Sequence, residues 1–272
     1  MRMKCKICNA ESINYFTCRV MNTYDVQYFR CTKCKFIQTE DPYWLPDDYK
    51  SAITSLDVGL VYRNEYLASI VQTTISKWFN AQGRFIDYGG GYGLLVRMMR
   101  DRGFNFFRQD MYCKNLFAEQ FDINDVPPFK ASLLTAFEVF EHLTDPVKEL
   151  EKMLAMSEAV MFSTEVQPLD EVSPDTWWYV APETGQHISL YSRSSLYALA
   201  DRFNLNYAWN EHNIHLFSKK NISNNAFKFY THPSVSFWYN KLFVKMPSLI
   251  PTDLDFIKAQ INSSTKDDRL PV

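Results

Sequence analysis

The chain has 272 residues, 46% of them hydrophobic and 22% charged, which supplies a sizeable core and excludes a disordered or collagen-like chain. Its 29 basic and 31 acidic residues leave a formal charge of −2, too balanced for a protein that coats nucleic acid with its whole surface. No run reaches the ~18 apolar residues of a membrane span, and Met1-Arg2-Met3-Lys4-Cys5 meets a cysteine before a signal-peptide core has room to form, so a soluble, cytoplasmic protein is expected.

The N-terminal segment carries two Cys-x-x-Cys pairs, Cys5/Cys8 and Cys31/Cys34. Each such turn presents two sulfurs from one tight loop, and four thiolates close a tetrahedral structural zinc site with no position left for water or substrate. The interval between the pairs has room for a short hairpin, with Tyr24 to Phe29 as one strand. Cys18 and Cys113 have no partner spacing and read as small buried hydrophobes. Residues 1–37 hold seven basic and two acidic side chains, a local charge of +5 that suits either solubility or a phosphate-facing surface.

Residues 62–82 show apolar positions at three- and four-residue steps, predicting a helix stopped by Gly83. A strand follows at Arg84 to Tyr88, then a glycine cluster, then a helix from Leu94 to Arg102. The alternation continues with strand Phe104 to Arg108, a short helix Cys113 to Glu119, strand Leu133 to Phe137, helix Pro146 to Met156 and strand Ala159 to Ser163. Helix Ser192 to Phe203 and strands Leu205 to Trp209 and Ile214 to Ser218 close the pattern. Alternating strands and helices imply a parallel sheet covered on both faces, an α/β fold.

Four of the eight glycines fall within five residues, in Asp87-Tyr88-Gly89-Gly90-Gly91-Tyr92-Gly93. A dinucleotide fingerprint needs a glycine where Leu94 stands, so the spacing is Asp-x-Gly-x-Gly-x-Gly instead. These residues, with Phe137-Glu138-Val139-Phe140-Glu141-His142-Leu143-Thr144-Asp145-Pro146 after a later strand, resemble the class I S-adenosylmethionine-dependent methyltransferases. The zinc segment and Gly185-Gln186-His187-Ile188-Ser189-Leu190-Tyr191-Ser192 extend the likeness, over roughly residues 1–218, to bacterial methyltransferases of the methyltransferase 23 type.

The resemblance implies a Rossmann-like, seven-stranded, mostly parallel sheet with helices on both faces. It divides the chain into a zinc-binding domain (1–48), a helical connector (49–82), a cofactor-binding domain (83–218) and a C-terminal extension of unassigned role (219–272). It implies S-adenosylmethionine as cofactor, with Gly89, Gly91 and Gly93 passing under it, Asp87 orienting the loop or meeting its amino group, and Glu138 lining its methionine side. Asp110, with Gln109 one register step away, meets the ribose hydroxyls. Asp122 falls near the adenine, in a segment shorter than the family's.

Methyl transfer to an alcohol or carbon acid needs a base, and histidine titrates in the right range. His187, after the long segment Glu165 to Gln186, is the first candidate, and His142 the second. Tyr191 is a candidate for positioning the acceptor, and Trp177, Trp178 and Tyr179 for stacking on it. The expected acceptor is a hydroxyl, or carbon, of a sugar, nucleotide-linked sugar or related metabolite of surface-glycan or natural-product biosynthesis. An RNA methyltransferase using the basic zinc segment, disfavoured by the overall charge, and a non-catalytic cofactor-binding scaffold are the alternatives.

Overall fold

A computed structural model describes residues 2–45 and 57–267; the expected boundary at residues 48/49 lies outside them. The N-terminal segment forms β1 (Arg2–Lys4), β2 (Glu11–Val20), β3 (Tyr24–Cys31) and β4 (Ile37–Thr39), all antiparallel. Helix α1 (Leu60–Trp78) then leads into β5 (Arg84–Tyr88), α2 (Leu94–Asp101), β6 (Asn105–Gln109), β7 (Leu133–Ala136), α3 (Pro146–Met156) and β8 (Ala159–Ser163). A two-residue strand, β9 (Ser189–Leu190), pairs with β4 and so joins the N-terminal sheet. Helix α4 (Arg193–Arg202), strands β10 (Asn206–Trp209) and β11 (Ile214–Ser218), and helices α5 (Asn224–Tyr230), α6 (Pro233–Phe243) and α7 (Ile250–Asp267) complete the chain.

The central sheet runs β10-β11-β8-β7-β5-β6. Its β8-β7-β5-β6 portion is parallel, and β11 pairs antiparallel with both β8 and β10. Adjacent residues of β5 point to opposite faces: Phe85 packs with Leu67, Ile70 and Val71 of α1 and Val96 of α2, while Ile86 packs with Leu150 of α3 and Leu196 of α4. The second of these cores also takes in Cys5, Cys31, Cys34 and Phe36, so the cysteine knuckles are packed directly onto the sheet layer. Local signals set the helix starts. Asp145 accepts the Lys148 amide at 3.1 Å ahead of Pro146, and Ser192 accepts the Ser195 amide at 3.0 Å. Among the described residues no helix is long and apolar enough to cross a membrane.

Three expectations are corrected. Among the described residues the sheet has six strands where seven were expected: beyond β6 there is a single parallel bridge between Arg108 and Asp122. There Asp122 caps a short turn at Ile123–Asp125 instead of extending. Cys113 to Glu119 is not helical, because the Asn115 side chain accepts the Ala118 amide at 2.9 Å and donates to the Ala118 carbonyl at 2.7 Å, which closes a local turn in place of a helix. Helix α1 ends at Trp78, before Gly83, whose amide closes a separate turn onto the Asn80 carbonyl at 2.9 Å.

Candidate functional site

The parallel strands β5 and β7 end at the same level, and their ends build the site from loops. After Tyr88 the chain turns through the glycines into α2. Gly89 has φ +66°, and a Cβ there would lie 2.8 Å from Val139 Cγ2. Gly93 has φ +84°, and a Cβ there would meet Asn115 Oδ1 at 2.5 Å. Both conformation and space therefore demand glycine. The amides of Gly89 and Gly90 donate to the Gln109 carbonyl at 2.8 and 3.3 Å, which fastens the turn to the end of β6.

Asp110 follows directly. Its Oδ2 accepts the Gly91 amide at 2.9 Å, and its Oδ1 accepts those of Tyr112 and Cys113 at 2.8 and 2.7 Å. Asp87, at the end of β5, is 4% exposed and accepts the Thr135 hydroxyl at 2.6 Å. Burial pushes its carboxyl up to about 7; the Thr135 bond and Arg108 oppose that rise, and Asp110 adds to it. Glu138 sits in the left-handed region at φ +55°. It is held there by Ser163, which accepts its amide at 2.8 Å and donates to its Oε1 at 2.6 Å.

Asp87, Gly89, Gly91, Gln109, Asp110, Glu138 and His142 line one cavity of about 820 Å³, together with Arg63 and Tyr88. Tyr88 donates its hydroxyl to Glu149 on α3. The other expected residues stand elsewhere. Gly93 is buried at the start of α2. Asp122 is engaged by Arg108, at 2.6 and 3.1 Å, and by the Asn115 amide at 3.2 Å. Tyr191 is fully buried, and its hydroxyl donates to the Phe140 carbonyl at 3.0 Å. Trp177 and Tyr179 are buried in the core beneath the N-terminal sheet; Trp178 is exposed.

His187 lies behind His142, with ring centroids 5.0 Å apart. His142 Nδ1 is 3.1 Å from the Gln186 carbonyl and His187 Nδ1 is 2.6 Å from the Tyr179 carbonyl. A carbonyl only accepts, so each Nδ1 carries the hydrogen and each Nε2 keeps its lone pair. Burial lowers both imidazoles below their ordinary range, so both are neutral bases near pH 7. Glu141, directly before His142 in sequence and close to both rings in space, is buried.

Three supporting residues, Thr135, Ser163 and Arg108, escaped the sequence reading, and Glu141, beside His142 after the same strand, was given no role there. Their signal is a polar side chain inside an apolar run, such as Thr135 in Leu133-Leu134-Thr135-Ala136 and Arg108 after Phe106-Phe107. At the N-terminal end, Cys5 and Cys34 Sγ are 3.6 Å apart and Cys8 and Cys31 Sγ 3.5 Å, and the four sulfurs lie within 4.8 Å of one another. A tetrahedron with metal–sulfur bonds of ~2.3 Å has edges of ~3.8 Å, so spacing and donor set fit one four-coordinate ion.

No curated protein matches the chain. Among solved structures it is similar to CalO1, a methyltransferase in calicheamicin biosynthesis in its SAH-bound form, at 15% identity and TM-score 0.40, covering 61% of this chain and 59% of that one. It is similar to an O-methyltransferase family 2 protein from Planctomyces limnophilus DSM 3776 in complex with apigenin, at 14% identity and TM-score 0.44, covering 62% and 63%. A third likeness is to magnesium protoporphyrin IX methyltransferase from Synechocystis PCC 6803 with bound SAH, at 9% identity and TM-score 0.42, covering 58% and 82%. The chain thus spans less than two thirds of the first two proteins. Residues 61–208 match the family described as a methyltransferase domain, and the chain belongs to that family.

Proposed function

We propose that the chain transfers a methyl group from S-adenosylmethionine to a hydroxyl, or a carbon, of a small molecule: a sugar, nucleotide-linked sugar or related metabolite of surface-glycan or natural-product biosynthesis. The observation that carries this reading is the glycine turn itself, where backbone without side chains runs along a cavity between two strand-end carboxylates, Asp87 and Asp110. Gly89, Gly91, Asp87, Asp110 and Glu138 would hold the cofactor. When bound, it supplies a methyl group on a sulfonium, an electrophile that needs no activation by the protein.

The chain's own work is alignment and removal of a proton. Asp110 stiffens the turn by taking three amides, and Thr135 and Ser163 fix the carboxylates of Asp87 and Glu138. The neutral histidine pair takes the acceptor's proton on Nε2, with His142 at the cavity wall and His187 behind it. Tyr191 acts from within the core, holding through Phe140 the turn that carries His142. The four cysteines would bind structural zinc, which folds the N-terminal segment onto the sheet and takes no part in the chemistry.

The charge around the cavity favours a small acceptor over RNA. Asp57, Asp87, Asp110, Glu138, Asp145 and Glu149 outnumber Arg63, Lys148 and Lys152 among its described lining residues. Each of those cations is already paired, at 2.7, 3.4 and 2.8 Å. Such a wall suits a cationic cofactor and repels a run of phosphates. The test is calorimetric titration with S-adenosylhomocysteine, followed by an acceptor panel beginning with nucleotide sugars and read by release of that product. Absence of binding would end the reading. Turnover on RNA that collapses as salt rises would replace the acceptor class.

A further inference from the structure

Glu141 is 1% exposed, and its Oε2 has no hydrogen-bond partner. An orphaned oxygen on a buried carboxyl destabilises the fold, so its environment matters. Its carbonyl accepts the Ile188 amide at 2.9 Å, which ties the turn bearing His142 to the segment bearing His187. Its Oε1 stands 4.0 Å from His142 Nε2, and a carboxylate oxygen and one ring nitrogen of each histidine lie within 4.8 Å of one another.

We propose that Glu141 is a positioning residue for the histidine pair: its carboxylate stabilises the imidazolium formed when the acceptor's proton reaches Nε2. This rests on the methyl-transfer reading. The acceptor atom loses its proton to Nε2 as it bonds to the methyl carbon, and the departing sulfur keeps the electron pair of the broken bond. The balance then leaves one positive charge in the buried pair, and Glu141 is the buried carboxyl placed to offset it.

The other groups bearing on Glu141 are Glu138, Arg63, Tyr179 and Tyr191. Burial, reinforced by Glu138, pushes the Glu141 carboxyl up to about 7. Its proton therefore exchanges near neutral pH. A divalent cation on the same three side chains is less well suited. Ligand atoms ~2.0–2.1 Å from zinc sit ~3.3 Å apart, whereas the 4.0 Å gap matches an ion pair that forms when the ring is protonated.

The experiment is a histidine NMR titration of the full chain, saturated with S-adenosylhomocysteine, in the parent and in Glu141→Gln. Loss of an opposite charge at this distance should lower the pKa of the pair by about one unit, and Glu141→Asp should restore part of it. Melting temperature and product affinity monitor the fold, and Glu141→Asp serves if the glutamine variant does not fold. Unchanged histidine titration overturns the proposal. So does a second equivalent of Zn²⁺, beyond the cysteine site, that Glu141→Gln alone abolishes.

With any acceptor found by the panel, Glu141→Gln should lower kcat by about 10- to 100-fold, leave KM in place, and move the acid limb of the kcat profile to lower pH. Parent-like kcat would also overturn the proposal. A shifted histidine pKa in a parent that methylates nothing would instead sink the methyl-transfer reading while leaving the charge pairing intact.

Discussion

Arg108 grips Asp122 with two hydrogen bonds of 2.6 and 3.1 Å while its other guanidinium hydrogens reach the carbonyls of Gly91 and Cys113 at 2.6 and 2.7 Å. One buried side chain on β6 thus fastens the glycine turn, the segment after Asp110 and the vestigial sheet edge together. Replacing it with methionine takes this donor from two carbonyls and leaves Asp122 with the Asn115 amide as its remaining side-chain donor. Arg108→Met should cost about 2 kcal/mol, the loss of charge-assisted hydrogen bonds from a buried guanidinium to a carboxylate that water still partly reaches. Urea denaturation measures this, and an unshifted midpoint would show that the clamp does not hold the loop. Asp122→Asn, which keeps an acceptor oxygen, should cost less and change product affinity little.

Gly89→Ala tests the turn directly. The new Cβ would overlap Val139 and sit at φ +66°, which costs an L residue roughly 1–2 kcal/mol before any clash. Affinity for S-adenosylhomocysteine should fall at least about tenfold in calorimetry. Adding Val139→Ala should recover only the steric part. Parent-like affinity in the single variant would mean that the turn does not bound the ligand site.

Asp87 makes the site pH-dependent. Its carboxyl titrates near 3.8 when unfolded and about 7 when folded, because burial outweighs the Thr135 bond and Arg108, with Asp110 adding to the rise. The folded state therefore holds this proton more tightly. The residue's contribution to stability is present below about pH 4 and lost as pH climbs through about 7. Asp87→Asn should remove that loss and melt higher than the parent at pH 8. Binding has the opposite sign: the ligand's ammonium group favours the ionised carboxylate, so product affinity should rise by about tenfold per unit up to pH 7 and then flatten. A flat profile between pH 5 and 8 in the parent would refute the assignment.

Much of this was legible in the chain. Pro146 to Met156, Ala159 to Ser163 and Ile214 to Ser218 coincide with α3, β8 and β11, because caps and unbroken apolar runs act locally. The hairpin between the cysteine pairs was expected but only one of its strands was placed: Glu11 to Val20 mixes apolar and polar residues on both faces, and pairing with β3 holds it. The seventh strand came only from the resemblance, and at Asp122 a capped turn with an arginine partner satisfies the polar groups that a strand would have paired. The cavity residues that hang from single strand ends followed from spacing. Thr135, Ser163 and Glu141 depend on contacts across the sheet that no spacing records.

The cysteines predict a metal-dependent fold. Cys5, Cys31 and Cys34 share a core with Ile86, Leu150 and Tyr191, so losing the ion should loosen the sheet layer as well as the knuckles. One equivalent of zinc should copurify. Cobalt in its place should show thiolate charge-transfer absorption, and Cys8→Ser should abolish it and lower the melting temperature. Metal-free protein that melts like the parent would leave the four sulfurs as simple core groups.

The histidine pair separates its two rings by position. His142 lines the cavity, whereas His187 meets His142 and Tyr179 edge to face, with centroids 5.0 and 4.5 Å away. If the pair shares the acceptor's proton, neither ring is dispensable, and His142→Ala and His187→Ala should each lower kcat by about 100-fold. Product affinity should stay within about threefold, because neither ring is needed to hold the cofactor. Because burial raises the Glu141 carboxyl to about 7 and lowers both imidazoles below the ordinary 6.5, the parent's kcat should hold steady above about pH 7 and fall in more acidic solution, as protons occupy first the Glu141 carboxylate and then Nε2. Parent-like turnover in His187→Ala with loss only in His142→Ala would assign the base to the cavity wall alone and leave His187 a packing role.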